Sequence, residues 1–272
     1  MMKEGLLHLT AFQVASLRIV FAGLVLLPSA IINFKKVPAG TLGIIFISGV
    51  LGSLLPAYLF CVAELGIDSA LAGTLNSLTP IFVIITGALF FRSKTTSNKI
   101  FGIGVAFTGS ILLLLSKGQI PENQNLMYIS YVVLATICYG FNVNMVHKHL
   151  HHIGSLQIAS VALTLNAIPA LIVLYFTGYF SLPLSDSGIL YSTGHAALLG
   201  ILGTAVASII FYVLIKRAGA VFSSMVTYGI PVIANLWGLF YGEEVGWVQF
   251  GCLALILTGV YLANRKISKT GS

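Results

Sequence analysis

The run TLNSLTPIFVIITGALF occupies Thr74–Phe90. It is apolar, free of charge, and carries Pro80 near its centre. The run MVTYGIPVIANLWGLFY, Met225–Tyr241, repeats the design: Pro231 lies 151 residues after Pro80, and Gly238 lies 151 after Gly87. A proline inside a helix removes one backbone donor and strips the carbonyl four residues earlier of its usual partner. Nothing in lipid replaces that partner, so protein groups or a wet cavity must satisfy it. A chain that places a helix breaker twice at matched positions has built its architecture around the break.

Composition fixes the setting. Charged residues make up 8% of the chain and hydrophobic residues 57%, against roughly 25% charged in ordinary soluble domains. Mean hydropathy is +0.99. Charge-free stretches run over Val37–Ala63, Ser69–Phe91, Ala218–Gly242 and Val245–Asn264. About 20 apolar residues cross a bilayer core as a helix. The chain reads as an all-α, polytopic membrane protein. The hydropathy pattern predicts nine spans near residues 11–33, 38–63, 70–91, 98–116, 126–147, 155–179, 193–215, 220–242 and 246–264. Met1–Thr10 has no basic region followed by a short apolar core, so no cleavable signal is expected there. Cys61, Cys138 and Cys252 are scattered among apolar runs without metal-ligand spacing, and they read as small buried residues.

Charge gives the orientation. Lys35, Lys36, Arg92, Lys94, Lys99, Lys148, Lys216, Arg217, Arg265, Lys266 and Lys269 fall in alternate connections on one face, 11 of the 14 basic residues. Basic residues beside span ends mark the cytoplasmic side, so the C-terminus is expected inside the cell membrane. All seven acidic residues fall on the other face: Glu4, Glu64, Asp68, Glu122, Asp186, Glu243 and Glu244. The net charge of +7 is thus a topology signal, and no nucleic-acid partner is needed to explain it.

The 151-residue offset extends beyond the prolines. Gly49, Leu51 and Gly52 meet Gly200, Leu202 and Gly203, and Phe60 meets Phe211. At a slightly different offset FQVAS (Phe12–Ser16) meets LQIAS (Leu156–Ser160). The matched spans cross the membrane in opposite directions, as in transporters built from inverted repeats. The units expected are residues 1–117, with four spans, and 126–266, with five. The counterpart of span 126–147 would precede Met1.

LWGLFYGEEVGWVQFGCLALILTGVYL (Leu236–Leu262), LRIVFAGLVLLP (Leu17–Pro28) and LGIDSALAGTLNSLTPIFVIITGALF (Leu65–Phe90) resemble the EamA family of drug/metabolite transporters. The resemblance covers roughly residues 10–116 and 126–264, and it implies two five-helix repeats. Two departures stand out: the family's first helix is lacking, and FFRSK (Phe90–Lys94) replaces the usual Gly-Glu turn of the first repeat.

Helical spacing puts Asn76, Pro80, Val83 and Gly87 on one face, and Thr227, Pro231, Asn235 and Gly238 on one face of the partner helix. Kinked, partly polar stripes of this kind line a midplane substrate site, or they serve helix packing alone. Trp237 shares the second helix. Arg18 is the one charge inside an apolar span. It costs about 2.5–3.5 kcal/mol at a helix centre; it either meets an anionic substrate group or snorkels to the outer surface. Asn142 is a substrate contact or an interhelical link. The substrate-binding candidates are therefore Arg18, Asn76, Pro80, Asn142, Thr227, Pro231, Asn235 and Trp237. His147, His149, His151 and His152 read as a solvated basic loop rather than a metal site, and no cofactor is expected. The glycines Gly102, Gly104, Gly109, Gly251 and Gly259 predict close helix packing and a candidate homodimer face.

The function expected is secondary transport of small metabolites, amino-acid-like or drug-like, by alternating access, as an exporter or exchanger. No carboxylate lies deep in a span, which disfavours carboxylate-based proton coupling. The alternatives are a truncated or regulatory relative that does not transport, or an intramembrane enzyme. The last lacks an HExxH or an aspartate cluster.

Overall fold

The computed structural model describes residues 2–116, 126–233 and 246–264. Among them, eight helices are long and apolar enough to cross a membrane. They are α1 (Ala11–Phe34), α2 (Ala39–Ala63), α3 (Leu71–Phe91), α4 (Ser97–Ser116), α5 (Leu126–His149), α6 (Ser155–Phe176), α7 (Ser187–Ala218) and α9 (Trp247–Asn264). A shorter apolar helix, α8 (Ala220–Ile233), covers the described part of the remaining expected span. Large apolar side chains such as Ile31, Leu89, Phe90, Leu190 and Ile210 face outward, as a lipid-facing surface requires.

One capping device recurs. Gln13 Oε1 accepts the Thr10 amide (3.0 Å) at the start of α1, Gln157 Oε1 accepts the Gly154 amide (2.9 Å) at α6, and Gln249 Oε1 accepts the Gly246 amide (3.1 Å) at α9. Each glutamine satisfies a donor that the first helical turn leaves open. The sequence match FQVAS/LQIAS is therefore a match of helix starts.

The matched glycines mark matched distortions. α2 contains a π-helical turn at Val50–Leu54 and α7 one at Ile201–Val206. Their starts are 151 residues apart, and π-turns inside α-helices often accompany functional sites. α7 begins earlier than the hydropathy pattern predicts, at Ser187, because Asp186 Oδ1 accepts the Gly188 (2.8 Å) and Ile189 (3.2 Å) amides. Its 32 residues span about 48 Å at 1.5 Å per residue, more than the roughly 30 Å hydrocarbon core.

The two most extensive helix pairings are α1 on α6 and α4 on α9, which join corresponding spans of the two halves. Gly23 sets the first: a Cβ there would lie 2.7 Å from Ala167 Cβ. Gly102 and Gly259 set the second, where added Cβ atoms would lie 2.4 Å from the Ala263 and Ala106 amides. Those two glycines are spent on packing within the chain, whereas Gly104 and Gly251 meet nothing within 4 Å. α5 packs across α2 and α3.

Gly259→Val should lower the unfolding midpoint in detergent by forcing α4 from α9, at a cost of about 1–3 kcal/mol. Gly104→Ala should not lower it. Differential scanning fluorimetry of both variants decides; equal effects would contradict this assignment of the interface.

Candidate functional site

Both proline helices break one turn before the proline. α3 leaves helical geometry at Ser77–Leu78 and resumes at Thr79. α8 passes through a 3-10 segment at Met225–Tyr228. Pro80 thus sits in the first turn of a new helical segment, where its missing N–H is not needed. The carbonyl it cannot reach, that of Asn76, accepts a hydrogen bond from Thr79 Oγ1 (2.7 Å). Thr79 Oγ1 also donates to Asn76 Oδ1 (3.2 Å), and Ser77 Oγ donates to the Thr74 carbonyl. On α8, Thr227 Oγ1 donates to the Ser224 carbonyl (2.9 Å). The two helices come close near their breaks: a Cβ on Gly73 would lie 3.3 Å from Ile230 Cγ2.

A line of polar side chains threads the interior between the π-turns. Arg18 points inward rather than toward the surface, and its Nε donates to Thr204 Oγ1 (2.6 Å) in the π-turn of α7. Its charge also acts on Glu64, just beyond the end of α2. Beside it on α1, the Ser16 hydroxyl shares a 2.7 Å hydrogen bond with Tyr58 of α2. Further along, Ser48 Oγ donates to Asn142 Oδ1 (2.6 Å), and the Tyr212 hydroxyl reaches both Ser48 and Asn142. This triad joins α2, α5 and α7, and all three residues are buried. Gly52 makes room for it, since a Cβ there would lie 2.3 Å from Asn142 Nδ2. Asn144, one turn away, donates through Nδ2 to the Val83 carbonyl (2.8 Å), Thr86 Oγ1 (3.1 Å) and the Gly140 carbonyl (2.9 Å). Asn166 of α6 donates to the Phe46 (3.2 Å) and Ala162 (2.8 Å) carbonyls, while its buried Oδ1 has no protein partner.

The structure brings two of the expected residues, Arg18 and Asn142, into this line. Pro80 and Pro231 are buried, and Asn76 and Thr227 are half-buried and bonded within their own helices. Val83 and Gly87, on the Pro80 stripe, face Asn144 of α5. Asn235 and Trp237 lie outside the described residues. Ser48, Thr204 and Tyr212 are the residues that sequence reasoning passed over. The glycine match pointed to two of them: Ser48 precedes Gly49, and Thr204 follows Gly203. Among the described residues no group of three or more His, Cys, Asp or Glu is arranged to hold a metal ion.

Glu64 lies immediately after α2. Burial pushes its carboxyl above the usual carboxylate range, offset in part by a hydrogen bond with Ser69 and by the charges of Lys3 and Arg18. Its Oε2 is buried without a protein partner.

A known family matches the chain in two segments. The model of the EamA-like transporter family matches residues 1–115 and 126–265. The chain belongs to the EamA-like transporter family. It is 27% identical over 268 residues to an uncharacterized transporter of Archaeoglobus fulgidus, covering 97% of this chain and 92% of that one. A solved crystal structure shares the fold, with a TM-score of 0.72 at 17% identity, covering 97% of this chain and 90% of the other. The EamA-like chain is accordingly a multi-pass membrane protein of the drug/metabolite transporter type.

Glu64 holds its proton more tightly folded than unfolded. That stabilisation is full below the unfolded value near ~4.3 and disappears as pH rises through the higher folded value. Wild type minus Glu64→Gln stability should therefore fall as pH rises from about 4.3 toward neutrality. Chemical denaturation across that range tests it, and a flat difference would refute it.

Proposed function

We propose that the chain is a secondary transporter that moves small metabolites across the cytoplasmic membrane by alternating access, as an exporter or exchanger. The observation that carries this reading is the placement of polar contacts at paired helix distortions. Arg18 meets Thr204 within one π-turn, and the Ser48–Asn142–Tyr212 triad lies against the other through Gly52. Hydrogen bonds between helices that are already distorted exchange partners at lower cost than those of regular helices, because no intact backbone ladder has to be broken first. Rocking of the repeat 1–117 against the repeat 126–266 would open and close this line.

The basic connections support a cytoplasmic C-terminus. Arg18 is the group for an anionic part of the cargo, since a guanidinium matches carboxylate and phosphate alike. Asn142 supplies amide contacts at the midplane. Asn76, Pro80, Thr227 and Pro231 shape the adjoining wall. None of the named groups forms an acid–base or metal constellation, which supports transport over catalysis.

Arg18→Gln should abolish flux of the cargo while the protein still reaches the membrane in normal amount. A metabolite panel in proteoliposomes, with membrane abundance measured alongside, checks this. Normal flux of every carried metabolite by the variant would sink the assignment.

A further inference from the structure

The basic face of the molecule carries a cavity of about 150 Å³ where the α3–α4 connection, the end of α5 and the α7–α8 turn meet. Its polar lining is Ser93, Lys94, Thr95, Lys99, Asn144 and His147, and Val83 and Ala218–Val221 complete it. This is roughly ten times the space that admits one water molecule. The cavity contains neither Arg18 nor Asn142 in its lining, and it meets the polar line through Asn144 and the Pro80 stripe through Val83.

The other lysines of this face near the cavity have partners. Lys148 donates to the Phe91 carbonyl (2.9 Å) and Lys216 to the Ile153 carbonyl (2.5 Å), so each satisfies a carbonyl in a connection or helix end. Lys94 and Lys99 make no such bond, and no carboxylate pairs with either among the described residues. The described acidic side chains are engaged elsewhere: Asp68 pairs with Lys3 (3.4 Å), Glu4 accepts from Tyr191 (3.2 Å), Glu64 hydrogen-bonds with Ser69 beyond α2, and Asp186 caps α7. Two ammonium groups and an imidazole therefore share one concave space with two hydroxyl-bearing residues, and no carboxylate lines it. Charges held together in a concavity repel one another, and a counter-ion from outside relieves that repulsion. The donor set is what a tetrahedral oxyanion takes: lysines as point charges and hydroxyls as directional donors.

The geometry points to an anion site in this cavity that takes a phosphate group, either free in the cytoplasm or on a lipid headgroup of the adjoining leaflet. The site is separate from the transport reading and does not depend on it. Asn144 forms the floor: its amide nitrogen is fully committed to α3 and α5, so an occupant of this cavity presses on the α3–α5 contact.

The test uses the full-length chain purified in detergent, and compares the double variant Lys94→Gln/Lys99→Gln with a charge-matched control, Lys36→Gln/Lys148→Gln. Inorganic phosphate is titrated against chloride at equal ionic strength, with the unfolding midpoint as readout. Native mass spectrometry then measures retention of phosphatidylglycerol against phosphatidylcholine. Loss of two charge-assisted contacts should weaken binding at least about tenfold in the cavity variant and leave the control unchanged. A phosphate response lost only in the cavity variant supports the site with a soluble occupant. No phosphate response, but phosphatidylglycerol retention lost only in the cavity variant, supports the same site with a headgroup occupant. Equal behaviour of the two double variants in both assays overturns the proposal.

Discussion

Everything in this fold answers to one constraint: a backbone group freed inside a membrane has no water to turn to. A helix that breaks there must find a partner in a side chain close at hand. The break before Pro80 meets this within its own strand of sequence, because Thr79 returns its hydroxyl to the Asn76 carbonyl. The π-turns at Val50–Leu54 and Ile201–Val206 are instead packed closely against neighbouring helices. There the glycines let a second helix come within reach, and the polar group it brings is Asn166 at Gly49, Asn142 at Gly52 and the Arg18 backbone at Gly200. Close approach, distortion and polarity therefore occur together, and each is the reason the others are tolerated.

The two halves use this device unequally. Gly52 receives Asn142 from α5, but its counterpart Gly203 meets only Leu199 of its own helix. Among the described residues α5 has no counterpart packed on α7 as α5 packs on α2. The outward side of α7 accordingly carries exposed apolar residues, including Leu198, Leu202, Val206 and Ile210. The polar line is enclosed on the side of the first-half helices and α5, and its α7 wall is only one helix thick.

The sequence made the class, the spans and the internal offset legible because each rests on a sum over many residues. Twenty apolar positions outvote any single exception, and a shared order of glycines and prolines survives divergence of everything between them. The proline stripe was harder. Helical spacing places Pro80, Val83 and Gly87 on one face but does not say what covers it, and α5 covers part of it through Asn144. Arg18 was harder still, since seven residues of depth suit both snorkelling and an inward pose. The inward pose depends on Thr204, which lies 186 residues away, and pairings at that distance leave no periodic trace. Ser48 and Tyr212 escaped for the same reason: each looks like an ordinary small or aromatic residue of a membrane helix until its two partners are placed.

The inward pose of Arg18 also bears on what the interior can accept. A guanidinium in a low-dielectric setting needs either a fixed carboxylate or a mobile one. The fixed candidate, Glu64, feels Arg18 only as a secondary influence, behind burial, Ser69 and Lys3. Thr204, its hydrogen-bond partner, is neutral and satisfies one donor of five. Among the described residues no carboxylate forms an ion pair with this permanent cation. A protein that needed Arg18 only for packing would gain by replacing it with a residue that carries no desolvation cost. On the proposed function, the compensating charge arrives with the cargo and leaves with it, so the cation is costly between transport events and stabilised during them.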